Sequence, residues 1–153
     1  MSEIFTLLVL ICVSLLVGNE FTIGMFINPL FNRLPDVSQA SAAKESAQLY
    51  GKVMPFWMIA SFFLCAALTF FVAKSYSTQW WSYLAATILF GVVSVFSVIF
   101  PVPINNKIAN WDPNDLPSDW RELRRRFDQY HLIRIVLLLI VFVCLIFGTI
   151  SRN

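Results

Sequence analysis

Four apolar runs, about residues 4–31, 53–73, 81–100 and 133–150, set the terms on which this chain can fold. Each is close to the roughly 20 residues that cross the hydrocarbon core of a bilayer as a helix. Lipid offers exposed backbone groups no hydrogen-bond partners, and the runs lack the alternation of a barrel strand, so helices are the way across. The expected fold is all-α, a four-helix transmembrane bundle that forms a single membrane domain over residues 1–153. With 58% hydrophobic and 13% charged residues, a water-soluble monomer is excluded. A formal charge of +2 is too small to imply nucleic acid as a partner; the expected partner is the lipid bilayer. Cys12, Cys65 and Cys144 each lie inside an apolar run, where they act as small hydrophobes rather than a disulfide framework. No Lys or Arg precedes Arg33, so the first run reads as a permanent span and not as a signal peptide.

The links between spans are unequal. Residues 74–80 make a short hairpin link, whereas the polar loops 32–52 and 101–132 are long and share the opposite face. Arg33, Lys44, Lys52, Lys107, Arg121, Arg124, Arg125, Arg126 and Arg134 all fall on that loop side, against only Lys74 and Arg152 on the other. The positive-inside rule then predicts both termini outside, in a membrane such as the bacterial cytoplasmic membrane. Trp80, Trp81 and Tyr83 fit an interfacial aromatic belt. Two similar elements, Pro29-Leu30-Phe31-Asn32-Arg33-Leu34 and Pro103-Ile104-Asn105-Asn106-Lys107-Ile108, follow the first and third spans. Each leads through a turn-rich stretch and a polar helical run into the next span, the pattern of two parallel two-helix repeats.

Glu20 is the sharpest single signal, because a carboxylate in an apolar span costs about 2.5–3.5 kcal/mol on insertion scales and is rarely left facing lipid. At helical spacing Glu20, Gly24 and Asn28 share a face, with Gly24 leaving room beside the carboxylate. Asn19 sits about 100° round the helix from Glu20, towards a neighbouring helix. His131 is the only histidine. If a helix starts near Pro117 and Ser118 and runs unbroken into the membrane, Trp120, Arg124, Phe127, His131 and Arg134 form one stripe. Arg134 then needs a partner at membrane depth, which Glu20 would supply, bringing His131 close to both. Arg121, Arg125 and Arg126 read instead as a solvated basic face near anionic headgroups. Asn105 or Asn106 is expected at the mouth of such a pocket.

No Gly-rich phosphate loop, nucleophile elbow or CxxC occurs, and one histidine with three scattered cysteines cannot make the usual zinc or iron-sulfur sets. No metal residues are assigned and the cofactor is unknown, with a single-His haem ligand or a mixed His/Glu site left open.

Taken together, Gly18-Asn19-Glu20-Phe21, Met54-Pro55-Phe56-Trp57, the Pro101 to Ile108 element, and Trp120-Arg121-Glu122-Leu123-Arg124 with Tyr130-His131-Leu132-Ile133-Arg134 carry a resemblance. The chain resembles the anthrone oxygenase-like family of four-span membrane proteins over nearly its whole length. The resemblance implies an oxidoreductase acting on a flat apolar aromatic molecule, since some fungal members are linked to the oxygenation of anthrones. It points to Glu20, His131 and Arg134 as catalytic residues. It points to Asn19, Asn105, Asn106, Trp120, Arg124 and Tyr130 as ligand-binding, to which the helical spacing from Glu20 adds Asn28. An anthrone is acidic at its methylene carbon, so oxygenation without a cofactor needs a base, His131 or Glu20, and donors for the enolate oxygen from Arg124, Arg134 and the Asn amides. A lipid-facing slot among Phe and Trp side chains would admit the substrate. Three alternatives stay open: a non-catalytic ligand-binding or structural protein whose buried charges form an ion-pair network, a haem- or metal-binding oxidoreductase using His131, and a transporter, for which four short spans offer little room unless the chain oligomerises.

Overall fold

The computed structural model describes residues 2–151. Helix α1 (Ser2–Thr22) runs through a π-helical turn (Ile23–Ile27) into the short α2 (Asn28–Phe31). Helix α3 (Asp36–Ala67) ends in a second π-helical turn (Leu68–Val72), and α4 (Thr78–Ile99), α5 (Pro101–Ile108) and α6 (Trp120–Ile150) complete the chain. Four helical stretches, Glu3–Phe31, Asp36–Val72, Thr78–Ile99 and Trp120–Ile150, are long and apolar enough to cross a membrane. The protein is all-helical, with four apolar helices that could each span a bilayer and so contact its lipid.

Two of these helices are much longer than a membrane requires. At 1.5 Å per residue the 32 residues of α3 reach about 48 Å and the 31 residues of α6 about 46 Å. The hydrocarbon core is only about 30 Å thick. Both helices therefore continue well beyond it, on the side of the segments 32–52 and 101–132. Those segments, read in the sequence as polar loops with a helical run before the next span, are for the most part helix. Burial explains why: Ala40, Ala43 and Ala47 on the first turns of α3 pack against Ile108, Trp111 and Trp120 in a small apolar cap. The small alanines let these aromatic rings lie close to the helix. Helix α6 starts at Trp120, two residues past Ser118, with Asp119 at its N-cap and no side-chain capping bond.

The main core lies lower in the bundle. Val9, Val13 and Leu16 of α1, Cys65 of α3, Tyr83, Ala86, Phe90 and Val93 of α4, and Leu138, Val141 and Leu145 of α6 are buried together. The link between α3 and α4 is short enough to put Tyr76 in the left-handed region at φ 61°. Ser77 caps α4 by accepting from the Trp80 amide at 3.1 Å. Trp81 is exposed in keeping with an interfacial belt, but Tyr83 is not part of one. It is fully buried, with its hydroxyl 3.0 Å from Thr149 Oγ1, because Gly148 of α6 leaves room for the ring.

In both halves of the chain a spanning helix leads through a short helix with proline in its first turn, α2 or α5, into a long helix that starts in the polar layer. This ordering places α2, α5 and the first turns of α6 around the same end of the bundle, where the charged residues gather.

Candidate functional site

The π-helical turn decides which residues of the first span face inward. In an uninterrupted α-helix Glu20 and Asn28 would differ by about 80° around the axis, since eight steps of 100° overshoot two turns. A π turn inserts about one residue without advancing the face, which cuts the difference to about 20°. The amide of Asn28 reaches back five residues to the carbonyl of Ile23, the signature of that insertion. Glu20 and Asn28 are accordingly both buried, at 0% and 3% exposure.

The stripe on α6 also faces inward: Trp120, Arg124, His131 and Arg134 are buried and Phe127 is half-buried. Arg134 Nη2 donates to Glu20 Oε2 at 2.6 Å, and His131 Nε2 lies 3.2 Å from the same carboxylate oxygen and 3.2 Å from the Glu20 carbonyl oxygen. Two turns nearer the polar layer, Arg124 Nη2 donates to Asn28 Oδ1 at 2.7 Å and lies 3.0 Å from Asp128 Oδ1. Asn32 donates to the other oxygen of Asp128 at 3.0 Å. Charges at membrane depth are thus paired across α1 and α6, as their desolvation cost requires.

Both oxygens facing His131 Nε2 are acceptors, so Nε2 carries a proton and donates to them. Nδ1 is buried and has no hydrogen-bond partner among the described residues; the same holds for Glu20 Oε1 and Asn28 Nδ2. Gly24 secures this arrangement. A Cβ there would come within 3.2 Å of His131 Cδ2 and would run into the Ile135 side chain. Gly24→Leu should therefore destabilise the fold by about 1–3 kcal/mol through overpacking and expel His131 from its position. Thermal unfolding in detergent checks the first effect, and the imidazole resonances of His131 the second.

These residues form one wall of a cavity of about 170 Å³. Glu20, Asn28, Arg124, Phe127, His131 and Arg134 line one side. Helix α3 supplies the facing side through two i, i+4 rows, Ala43-Ala47-Gly51-Pro55-Ile59 and Ser46-Tyr50-Met54-Met58. Ser94, Ser97 and Val98 of α4 and Pro101, Val102, Asn105 and Asn106 of α5 close the remaining edge. Asn105 donates to the Ala47 carbonyl at 3.1 Å and so ties α5 to α3, while Asn106 is exposed at the margin.

Three residues expected to bind ligand lie elsewhere. Asn19 is half-buried with Nδ2 3.8 Å from Met54 Sδ, away from the cavity because the 100° step from Glu20 turns it to the other flank. Trp120 packs edge-on against Trp111 in the apolar cap, and Tyr130 packs against Phe96 and Phe100. The lining residues Tyr50, Ser94 and Ser97 were not singled out in the sequence, and Met54 and Pro55 stood there only in a motif that carries the resemblance. Among the described residues no three His, Cys, Asp or Glu side chains lie close enough together to share a metal ion.

Fold and cavity define a four-helix membrane protein whose internal chamber has one charged wall and otherwise apolar sides. The chain belongs to the anthrone oxygenase family, whose profile matches residues 47–144. The matched region runs from α3 into α6 and contains Asn105, Arg124, His131 and Arg134, while Glu20 and Asn28 precede it. No curated protein and no solved structure matched the chain.

Proposed function

We propose that the cavity binds a flat apolar aromatic molecule of the anthrone type and catalyses its oxygenation by dioxygen, with His131 as general base. The observation that carries this reading is the chain Arg134, Glu20, His131 on the wall of an otherwise apolar cavity. It has the logic of a base held by a carboxylate that is itself held by a cation. The carboxylate anchors Nε2–H, sets the tautomer, and favours the imidazolium once Nδ1 has taken a proton. Glu20 is thus the orienting group and not the base, since Arg134 already claims its charge.

In this mechanism His131 Nδ1 removes one proton from the methylene carbon of the anthrone. Asn28 Nδ2 and the Arg124 guanidinium favour the enolate by hydrogen bonding to its oxygen. The carbanion is oxidised by dioxygen, which forms a carbon–oxygen bond and, with the proton returned from His131, a hydroperoxide. Loss of the second methylene hydrogen as the O–O bond breaks releases one water and leaves the quinone carbonyl. One anthrone and one dioxygen give one anthraquinone and one water, and no further reductant or oxidant is consumed.

The experiment is to follow anthraquinone formation and oxygen uptake with purified protein in lipid nanodiscs supplied with anthrone. A saturable rate above that of protein-free discs, with one dioxygen consumed per quinone, supports the reading. A rate equal to the protein-free discs contradicts it.

Orientation is proposed on the same footing. Arg124 and Arg134 are recruited to the site and drop out of the charge count, which still leaves seven basic residues against two. The termini are therefore assigned outside. Labelling of a cysteine at exposed position 125 from the outer face of intact cells would contradict this.

A further inference from the structure

The charged wall of the cavity is sealed from the surface, and the side opposite is not. Glu20, Asn28, Arg124, His131 and Arg134 are all buried. Across from them, the lining residues Gly51, Pro55 and Ile59 of α3 and Val98 of α4 are exposed, Ile59 by 55% and Val98 by 66%. Gly51, Pro55 and Ile59 stand at i, i+4 and i+8 and therefore form one ridge along α3. Its upper end is Gly51, where a Cβ would already lie 3.0 Å from Asn105 Nδ2. Lining residues exposed on both α3 and α4 bring the cavity to the surface along the seam of these two helices.

What surrounds the seam identifies the medium it opens to. Phe56 and Phe63 on α3 and Val95 and Ile99 on α4 are more than half exposed, and no charged side chain of either helix interrupts them between Val53 and Val72 or between Thr78 and Ile99. A surface of this kind belongs in acyl chains and not in water.

We infer that the seam between α3 and α4 is a lateral portal, through which the cavity takes its ligand from the bilayer and returns the product to it. Ile59 and Val98 are its size-determining residues. The inference rests on reading the cavity as a ligand site, and it assigns the ligand to molecules that partition into the acyl phase. It replaces the expected rim of Phe and Trp with one of small and aliphatic side chains, through which a planar ring system passes edge-on.

The test is to place Phe at the rim, as Ile59→Phe and Val98→Phe, and at a control position elsewhere on the exposed face of α6, as Val143→Phe. Binding of anthrone to each protein in nanodiscs is followed by stopped-flow quenching of tryptophan fluorescence. A narrowed portal slows association and dissociation together, by about tenfold or more, whereas a changed cavity contact alters chiefly dissociation and the control keeps wild-type rates. Wild-type rates in both rim variants overturn the portal while leaving cavity binding intact. Absence of anthrone binding by the wild type overturns the functional reading, and the portal is then decided by Val98→Trp in discs of acyl-brominated lipid. Quenching of the added emission by bromine supports a rim facing acyl chains, and quenching by aqueous acrylamide alone overturns it.

Discussion

Arg134→Met should be the most destabilising single substitution in the protein. It leaves the fully buried Glu20 carboxylate without its 2.6 Å guanidinium partner, Arg134 Nη2, and with the His131 imidazole as its remaining neighbour. Removing one member of a buried ion pair costs about 3–5 kcal/mol, most of it the penalty of the charge left behind. The cost should fall steeply when that charge is also removed. Glu20→Gln/Arg134→Met is expected to recover at least half of the loss, because the pair has become a neutral amide beside an apolar side chain of similar length. Unfolding of the two variants in the same detergent, followed by circular dichroism, measures both quantities. Equal stability of Arg134→Met and the wild type would show that the pair is not the buried contact it is taken to be.

His131→Ala should separate chemistry from folding. Loss of a general base lowers turnover by about 10²–10⁴-fold. The fold should survive, because the Glu20/Arg134 pair does not depend on the imidazole. Exogenous imidazole, small enough to occupy the vacated space, should restore part of the rate. A purely structural network would behave differently: the variant would lose folded yield in step with activity, and imidazole would change neither. Anthraquinone formation and size-exclusion elution, measured on the same preparation with and without imidazole, distinguish the two.

How much of this was legible beforehand depended on what each residue costs in lipid. Glu20, His131 and Arg134 stood out because an isolated charge or imidazole at membrane depth is expensive, and that cost alone demanded that they meet. Their convergence within 3.2 Å follows from it. The apolar side of the cavity carried no such signal. Met54, Met58, Ile59 and Val98 line the cavity, while Phe56, Phe63 and Val95 face outward, and hydropathy is the same for both groups. Only the i, i+4 rows of α3 could have separated them, and those rows become informative once it is known that α3 is one helix from Asp36. The polar stretch 36–52 was legible as containing a helical run, but Lys44, Glu45 and Lys52 set it apart from the apolar span and hid that the two are one helix. Asn19 entered the candidate site through the resemblance, and Trp120 through the resemblance and its place on the α6 stripe. Asn28 was expected on the Glu20 face from its i+4 steps, but the π-helical turn that holds it there left no mark in the sequence, because Ile23 to Ile27 are ordinary residues for an apolar helix.

The step that everything else serves is removal of a methylene proton by His131, and it can be observed without oxygen. Anthrone in protein-containing nanodiscs, held anaerobically in D₂O, should exchange its methylene hydrogens for deuterium faster than in protein-free discs, with the excess rate lost in His131→Ala and partly regained with imidazole. Exchange at the protein-free rate, or an excess rate that persists in His131→Ala, would contradict the assignment of His131 as the base.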